Sequence, residues 1–137
     1  MKKEVLVNEE YTPNGGVMIS EMNLEGIITF ANRNFCEATG YEFNEIIGKS
    51  YSIVRHPDVP DTLNKKMWQT LRDLQTWSAV VKNLRKNGHY YWIETEIMPI
   101  YGEDKKIKGY IGSSRAASRK NIQEAEKLYE KMRKVDG

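Results

Sequence analysis

The chain has 137 residues and a mass of 15.9 kDa, with 21 basic against 19 acidic side chains and a formal net charge of +2. This is the length of one domain, and the near-neutral balance argues against a chain built mainly to grip nucleic acid, which needs a strong basic excess. Hydrophobic residues at 39% and charged residues at 29% describe a folded domain and exclude a disordered tail.

Residues 1–15 read as an arm: Val5, Leu6 and Val7 form a short apolar patch and Pro13-Asn14-Gly15-Gly16 a turn cluster. Val17–Ser20 and Ile27–Phe30 are β-prone runs separated by Asn23-Leu24-Glu25-Gly26, which predicts a hairpin. Asn32 is an N-cap candidate for a short helix with Phe35, Cys36, Ala38 and Thr39 on its apolar face and Gly40 as its stop. A second short helix is expected over Asn44–Gly48. Prolines at 57 and 60 keep Tyr51–Pro60 irregular. Asp61 or Thr62 then caps a helix carrying Leu63, Met67, Trp68, Leu71 and Leu74.

Three strands follow: Trp77–Arg85, His89–Pro99 and Ile107–Ser114, the first two joined by the Asn-Gly turn Lys86-Asn87-Gly88. Alternation in the middle strand sets Tyr91, Ile93, Thr95 and Ile97 toward the interior and Tyr90, Trp92 and Met98 on the other face. The latter patch is more apolar than solvent tolerates, so a helix, the arm, a partner or a second copy of the chain should cover it. Residues 118–134 form a charged amphipathic helix with Ile122, Ala125, Leu128, Tyr129 and Met132 along one side. The order predicts an α+β domain: an antiparallel sheet with helices gathered on one face.

Few groups are available for chemistry. One cysteine, Cys36, excludes an internal disulfide and a cysteine-cluster metal site; in a helix without a local base it reads as a buried, inert thiol. Two histidines, His56 and His89, leave little for a zinc centre. No apolar run reaches the roughly 20 residues that cross a bilayer, and the start is too polar for a signal peptide, so the reducing cytoplasm is the expected location. Phosphate loops, nucleophile elbows and zinc-protease motifs are absent from the sequence, and no catalysis is expected.

Two constellations stand out. Arg55-His56-Pro57-Asp58 sets a cation, an imidazole and a carboxylate in a rigid turn. It either aims Arg55 and His56 at an anion or is a plain loop in which Asp58 pairs with Arg55. Trp77, Ala79, Val81 and Asn83 share one strand face; an aromatic plate, small apolar residues and an amide suit a planar heteroaromatic ligand. Asn32 offers a second amide, and the alternative makes Trp77, Asn32 and Asn83 structural. Lys82, Arg85, Lys86 and His89 beside Tyr90, Tyr91 and Trp92 mix basic and aromatic groups as single-strand binders do, but the cluster is small and reads as a solvated hairpin rim.

Asn23-Leu24-Glu25-Gly26-Ile27-Ile28, Ala31-Asn32, Gly40-Tyr41, Glu45-Ile46-Ile47-Gly48 and Lys86-Asn87-Gly88 with Tyr91-Trp92 together resemble a PAS domain. Val54-Arg55-His56-Pro57-Asp58, Met67-Trp68, Trp77-Ser78 and Val81-Lys82-Asn83 make the chain similar, over roughly residues 10 to 130, to the flavin-binding sensor domains of bacterial aerotaxis receptors. The resemblance implies a PAS fold of five antiparallel strands whose short helices enclose a ligand pocket, spanning 16–115, with the arm before it and a signalling or docking helix over 116–137. It also implies non-covalent FAD, read as a redox or oxygen signal. Carried over by position, Arg55, His56 and Asp58 match residues needed for FAD binding, Trp77 the tryptophan near the flavin, and Asn32, Asn83 and Tyr91 pocket positions. Tyr51 stands where the better-known receptor has a histidine contacting adenine or phosphate.

The family has light-sensing members with a reactive helix cysteine, which residues 48–76 lack here, and haem-binding members, for which only His56 would serve. A PAS interaction module without cofactor is a further alternative. Because the chain stops after one helix, the expectation is a stand-alone sensor or an excised segment that signals to a separate chemotaxis-type transducer, with a homodimer through the sheet face or terminal helices as one form.

Overall fold

The computed structural model describes residues 6–136; residues 1–5 of the expected arm, Val5 included, and Gly137 lie outside the described residues. Strands β1 (Met18–Met22), β2 (Ile28–Ala31), β3 (Trp77–Leu84), β4 (Tyr90–Tyr101) and β5 (Ile107–Ala116) form one sheet in the order β2-β1-β5-β4-β3, every neighbouring pair antiparallel. The first and last strands meet in the middle, so the chain between β2 and β3 must travel from one sheet edge to the other. It does so as α1 (Arg33–Thr39), α2 (Phe43–Ile46), a 3-10 turn (Tyr51–Val54) and α3 (Asp61–Arg72).

The alternation expected in β4 is realised: Tyr91, Ile93, Thr95 and Ile97 are all buried on the inner face. Tyr91 and Ile93 pack with Phe35, Ala38, Ile46 and Val54, while Ile97 and Trp77 pack with Leu63, Met67 and Leu71 of α3. The strand runs two residues past Pro99. That proline lies beyond Trp77↔Ile97, the last β3–β4 pair, where β4 has a neighbour on one side only and a missing N–H is tolerated.

Local chemistry sets the turns. Asn23 Oδ1 accepts from the N–H groups of Glu25 and Ile27, and Gly26 sits at φ 82°, a left-handed conformation that glycine adopts without cost. Asn32 caps α1, and Gly40 at φ 80° ends it. Three expectations need correction. Neither Asp61 nor Thr62 caps α3 with its own side chain; Pro60 holds the N-cap position, and the Asp136 carboxylate of the terminal helix instead accepts from the Thr62 N–H and hydroxyl. Leu74 is not on the apolar stripe of α3: it lies past the helix end at φ 61°, half exposed, where the Leu74 N–H donates to Leu71 O and the Gln75 N–H to Thr70 O. This is a Schellman ending with leucine in the place usually taken by glycine. Cys36 is half-buried instead of buried, and partial burial followed by the nearby Glu42 charge pushes its thiol pKa up.

The terminal helix α4 (Arg119–Asp136) starts from Ser118, whose Oγ accepts from the Asn121 N–H, and lies against the outer face. Its buried stripe is Ile122, Ala125 and Tyr129; Leu128 falls at the margin and is 46% exposed. Trp92 is covered, its ring 5.5 Å from that of Tyr129. The Tyr129 hydroxyl donates to Val80 O (3.0 Å) and accepts from the Lys82 N–H (3.3 Å), closing backbone groups on the free edge of β3. Cover stops part-way, since Met98 and Phe30 remain exposed on this face. The arm pairs with the β3–β4 hairpin through Val7 to Gly88 and Tyr11 to Tyr90, and one guanidinium nitrogen of Arg119, Nη2, donates to both carboxylate oxygens of Glu10, tying arm to α4.

Candidate functional site

A cavity of about 320 Å³ lies between the inner face of the sheet and α3. Trp77, Val81 and Asn83 of β3 and Ile93 and Thr95 of β4 form one wall; Leu63, Asn64, Met67 and Trp68 of α3 form another. Tyr51, Val54 and Arg55 close the side, and the exposed Glu25, Ser50, Ser52 and Arg55 mark the mouth. The volume stands at the small end of the roughly 300–1,000 Å³ usual for small-molecule sites. It suits a fused aromatic ring, not a whole dinucleotide.

Four of the eight residues singled out in the sequence line this cavity: Tyr51, Arg55, Trp77 and Asn83. Trp77 stands on the wall between Val59, Leu63 and Ile97. Burial of the Tyr51 phenol pushes its pKa up to about 12, which keeps it a neutral donor. Asn83 is buried and donates from Nδ2 to the Tyr91 hydroxyl at 3.4 Å, while its Oδ1 meets no protein donor among the described residues. The Arg55 guanidinium also has no hydrogen bond or ion pair among the described residues, although its backbone is pinned by a bridge to Asn83. An amide oxygen and a guanidinium left over on one cavity are what a ligand with a polar ring edge and an anionic tail requires.

The other four stand outside the cavity, each engaged by a neighbouring group. Asn32 Oδ1 accepts from the N–H groups of Phe35 (2.9 Å) and Ile19 (3.0 Å) and its Nδ2 donates to Val17 O, so its amide joins β1 to α1. Tyr91 is buried behind Asn83 and orients it. His56 turns inward and is buried, its Nδ1 accepting from the Asp58 N–H at 3.0 Å. Asp58 pairs with Lys82 at 2.7 Å and not with Arg55, as the plain-loop alternative had it. Burial pushes the Asp58 carboxyl up, but the Lys82 hydrogen bond and charge, with His56 and Arg133, outweigh it and hold the group below the usual range. Freed from Asp58, Arg55 is available to the cavity. Ala79 does not line it.

The basic hairpin is engaged internally. Arg85 donates to Ala38 O (2.7 Å) and Glu37 O (2.8 Å) at the end of α1, with Tyr11 stacked 3.8 Å from its guanidinium, and Lys86 pairs with Glu45. Two further cavity residues were not among the predicted site residues: Trp68, expected on the apolar stripe of α3, and Asn64, which the sequence analysis did not single out. The signal was the polar Asn64 inside the face Leu63, Asn64, Met67 and Trp68, at helical spacing. Gly26 explains how Trp68 is held: a Cβ there would meet the indole at 3.1 Å, and the Tyr110 ring lies edge-on at 5.9 Å.

Residues 14–115 match the family model described as PAS fold. The chain belongs to the PAS family. This PAS domain is 36% identical over 131 residues to the aerotaxis receptor of Escherichia coli (strain K12), covering 94% of this chain and 26% of that protein. It is 28% identical over 102 residues to the nitrogen fixation regulatory protein of Klebsiella pneumoniae, covering 74% of this chain and 21% of that one. The chain therefore spans about a quarter or less of these relatives. A solved PAS domain from Colwellia psychrerythraea superposes with a TM-score of 0.68 at 25% identity, covering 75% of this chain and 87% of that one. A light-oxygen-voltage domain studied with a flavin analogue superposes with a TM-score of 0.71 at 21% identity, covering 85% and 87% respectively, which shows shared fold alone. The expected architecture, five antiparallel strands with short helices over a pocket and a terminal helix, is thus the family's. No helix among the described residues is long and apolar enough to cross a membrane.

Proposed function

We propose that this PAS domain binds FAD non-covalently and acts as a redox- or oxygen-responsive sensor for a separate chemotaxis-type signalling protein, without catalysing a reaction itself. The observation that carries this reading is the unpartnered Arg55 beside a cavity walled by Trp77, Trp68, Tyr51 and the Asn83 amide. The cavity accepts the ring system, and Arg55 at the mouth suits the pyrophosphate. Similarity to the aerotaxis receptor supports the choice of signal. His56 and Asp58 support the site at one remove, by holding the loop that carries Arg55.

A flavin supplies reversible two-electron chemistry coupled to protons. Asn83 can answer either a donor or an acceptor at the ring edge by turning its amide. Turning exchanges the group that meets the Tyr91 hydroxyl, and the Tyr91 ring abuts Tyr11 of the arm at 6.3 Å. Arm and α4 are joined through Glu10 and Arg119, so residues 1–15 and 116–137 are the proposed output elements and 16–115 the sensing unit. The conformational bias equals the difference in interaction between the two redox states. A transducer or a second copy would dock where Phe30 and Met98 stay exposed.

The alternatives have less behind them. A haem needs an axial ligand, and neither His56 nor His89 lines the cavity; Cys36, on α1, does not line it either, which disfavours a covalent photoadduct. Purified protein should be yellow, with the absorption of oxidised flavin, and mass analysis of the released chromophore should give FAD. Colourless protein that takes up no added FAD refutes the reading in favour of an empty interaction module, and a red protein in favour of haem.

A further inference from the structure

Among the described residues, four turns close on the side-chain oxygen of an Asn or Asp, which accepts the N–H two residues on: Asn14 from Gly16, Asn23 from Glu25, Asn87 from His89 and Asp104 from Lys106, at 2.9 to 3.1 Å. The turn at His56 has this spacing with a ring nitrogen as acceptor, His56 Nδ1 taking the Asp58 N–H at 3.0 Å. An amide oxygen accepts at any ordinary pH. An imidazole nitrogen accepts only while it lacks a proton.

We infer that His56 is a positioning residue whose neutral ring clasps the turn presenting Arg55 to the cavity, so that acidification opens the clasp and weakens the hold on an anionic ligand. The inference rests on the flavin reading for its ligand, but the clasp itself does not. The surroundings disfavour a second proton on the ring. His56 is buried, and its backbone N–H donates to Lys82 O of β3 at 3.4 Å, which holds the ring close to the Lys82 side of the strand edge. The Lys82 ammonium pairs with Asp58, whose Oδ2 lies 3.8 Å from Nδ1. From β4 the Tyr90 ring stands edge-on at 6.2 Å, and from α4 the Arg133 guanidinium donates to Asp58 O at 2.7 Å. Only the Asp58 carboxylate favours the cation. Protonated Nδ1 would oppose the Asp58 N–H donor to donor and draw that carboxylate from Lys82.

Burial first, then Lys82, lower the His56 pKa from its ordinary 6.5, against the weaker pull of Asp58. The neutral ring is therefore the form present at neutral pH. Below 6.5 the unfolded chain binds the proton and the folded one does not, so stability declines as the pH is lowered from 6.5 toward the depressed folded value.

The test follows the Asp58 amide by hydrogen exchange in ligand-free protein, corrected for intrinsic rate, from about pH 8 to about pH 5, with the Glu25 amide as reference. FAD affinity is measured over the same range. In wild type, Asp58 protection should fall relative to Glu25, by up to roughly tenfold per pH unit once His56 charges, and the FAD dissociation constant should rise in parallel. His56→Asn places an amide oxygen where the other turns have one, so both quantities should lose their dependence on pH, whatever the absolute affinity of the variant. Constant Asp58 protection in wild type overturns the clasp. FAD binding that tightens on acidification overturns it too, since His56 would then act as a direct cation. Should FAD fail to bind at any pH while the Asp58 response persists, the clasp stands and the flavin reading falls.

Discussion

Arg55→Ala separates binding from folding at this site. The guanidinium has no partner among the described residues, so its loss breaks no internal bond, and the exposed position predicts a stability change within about 0.5 kcal/mol. Toward a pyrophosphate it offers charge-assisted hydrogen bonds worth about 1.5–3 kcal/mol. Solvent at the mouth puts the expectation near the lower limit, a roughly 10- to 30-fold rise in the FAD dissociation constant. Riboflavin, which has no phosphate, should bind wild type and variant alike. Arg55→Lys should recover part of the loss, because it keeps the charge and not the fork. The assay is a fluorescence titration with both ligands at two salt concentrations, beside a urea melt. An equal loss for riboflavin and FAD would place Arg55 against the ring and refute the phosphate role; a clear fall in the melting midpoint would show a structural role.

Tyr129→Phe leaves Val80 O and the Lys82 N–H without their partner on the β3 edge, which should cost about 1–3 kcal/mol in a urea melt; an unchanged midpoint would mean that α4 does not seal that edge. Leu74→Gly relieves a left-handed residue whose side chain is half exposed, so stability should rise by about 1 kcal/mol; destabilisation would show that the Leu74 side chain contributes more than its conformation costs. Asn83→Ala should keep most FAD affinity but lose the change in hydrogen exchange of α4 on reducing the loaded protein. An undiminished change would exclude the amide as the switch.

Much of this fold is readable because its signals are local. The period of two in β4 separates Tyr91, Ile93 and Thr95 from Trp92, the Asn87-Gly88 pair marks the hairpin, and Asn32 and Gly40 bracket α1. What escaped depends on partners distant in sequence. Asp58 chooses Lys82, 24 residues on, over Arg55 in the same turn because the loop lies along the edge of β3. That choice frees Arg55 and turns His56 inward, and no local spacing encodes it. Leu74 continues the helical spacing from Leu71, and leucine is rare in a left-handed ending, so nothing local marks it as lying past the end of α3. Trp68 sits on the apolar spacing of α3 and Asn64 interrupts it, and both line the cavity because a hollow lies between α3 and the sheet, which no local spacing encodes.

The most direct measurement is a titration of ligand-free protein with FAD, following flavin emission alongside the wild-type and Trp77→Ala proteins. The account predicts quenching that saturates at one flavin per chain in wild type, as the ring enters beside Trp77 and Tyr51, and far weaker quenching in the variant. Emission that stays unquenched in wild type, or identical saturation in both proteins, would contradict it.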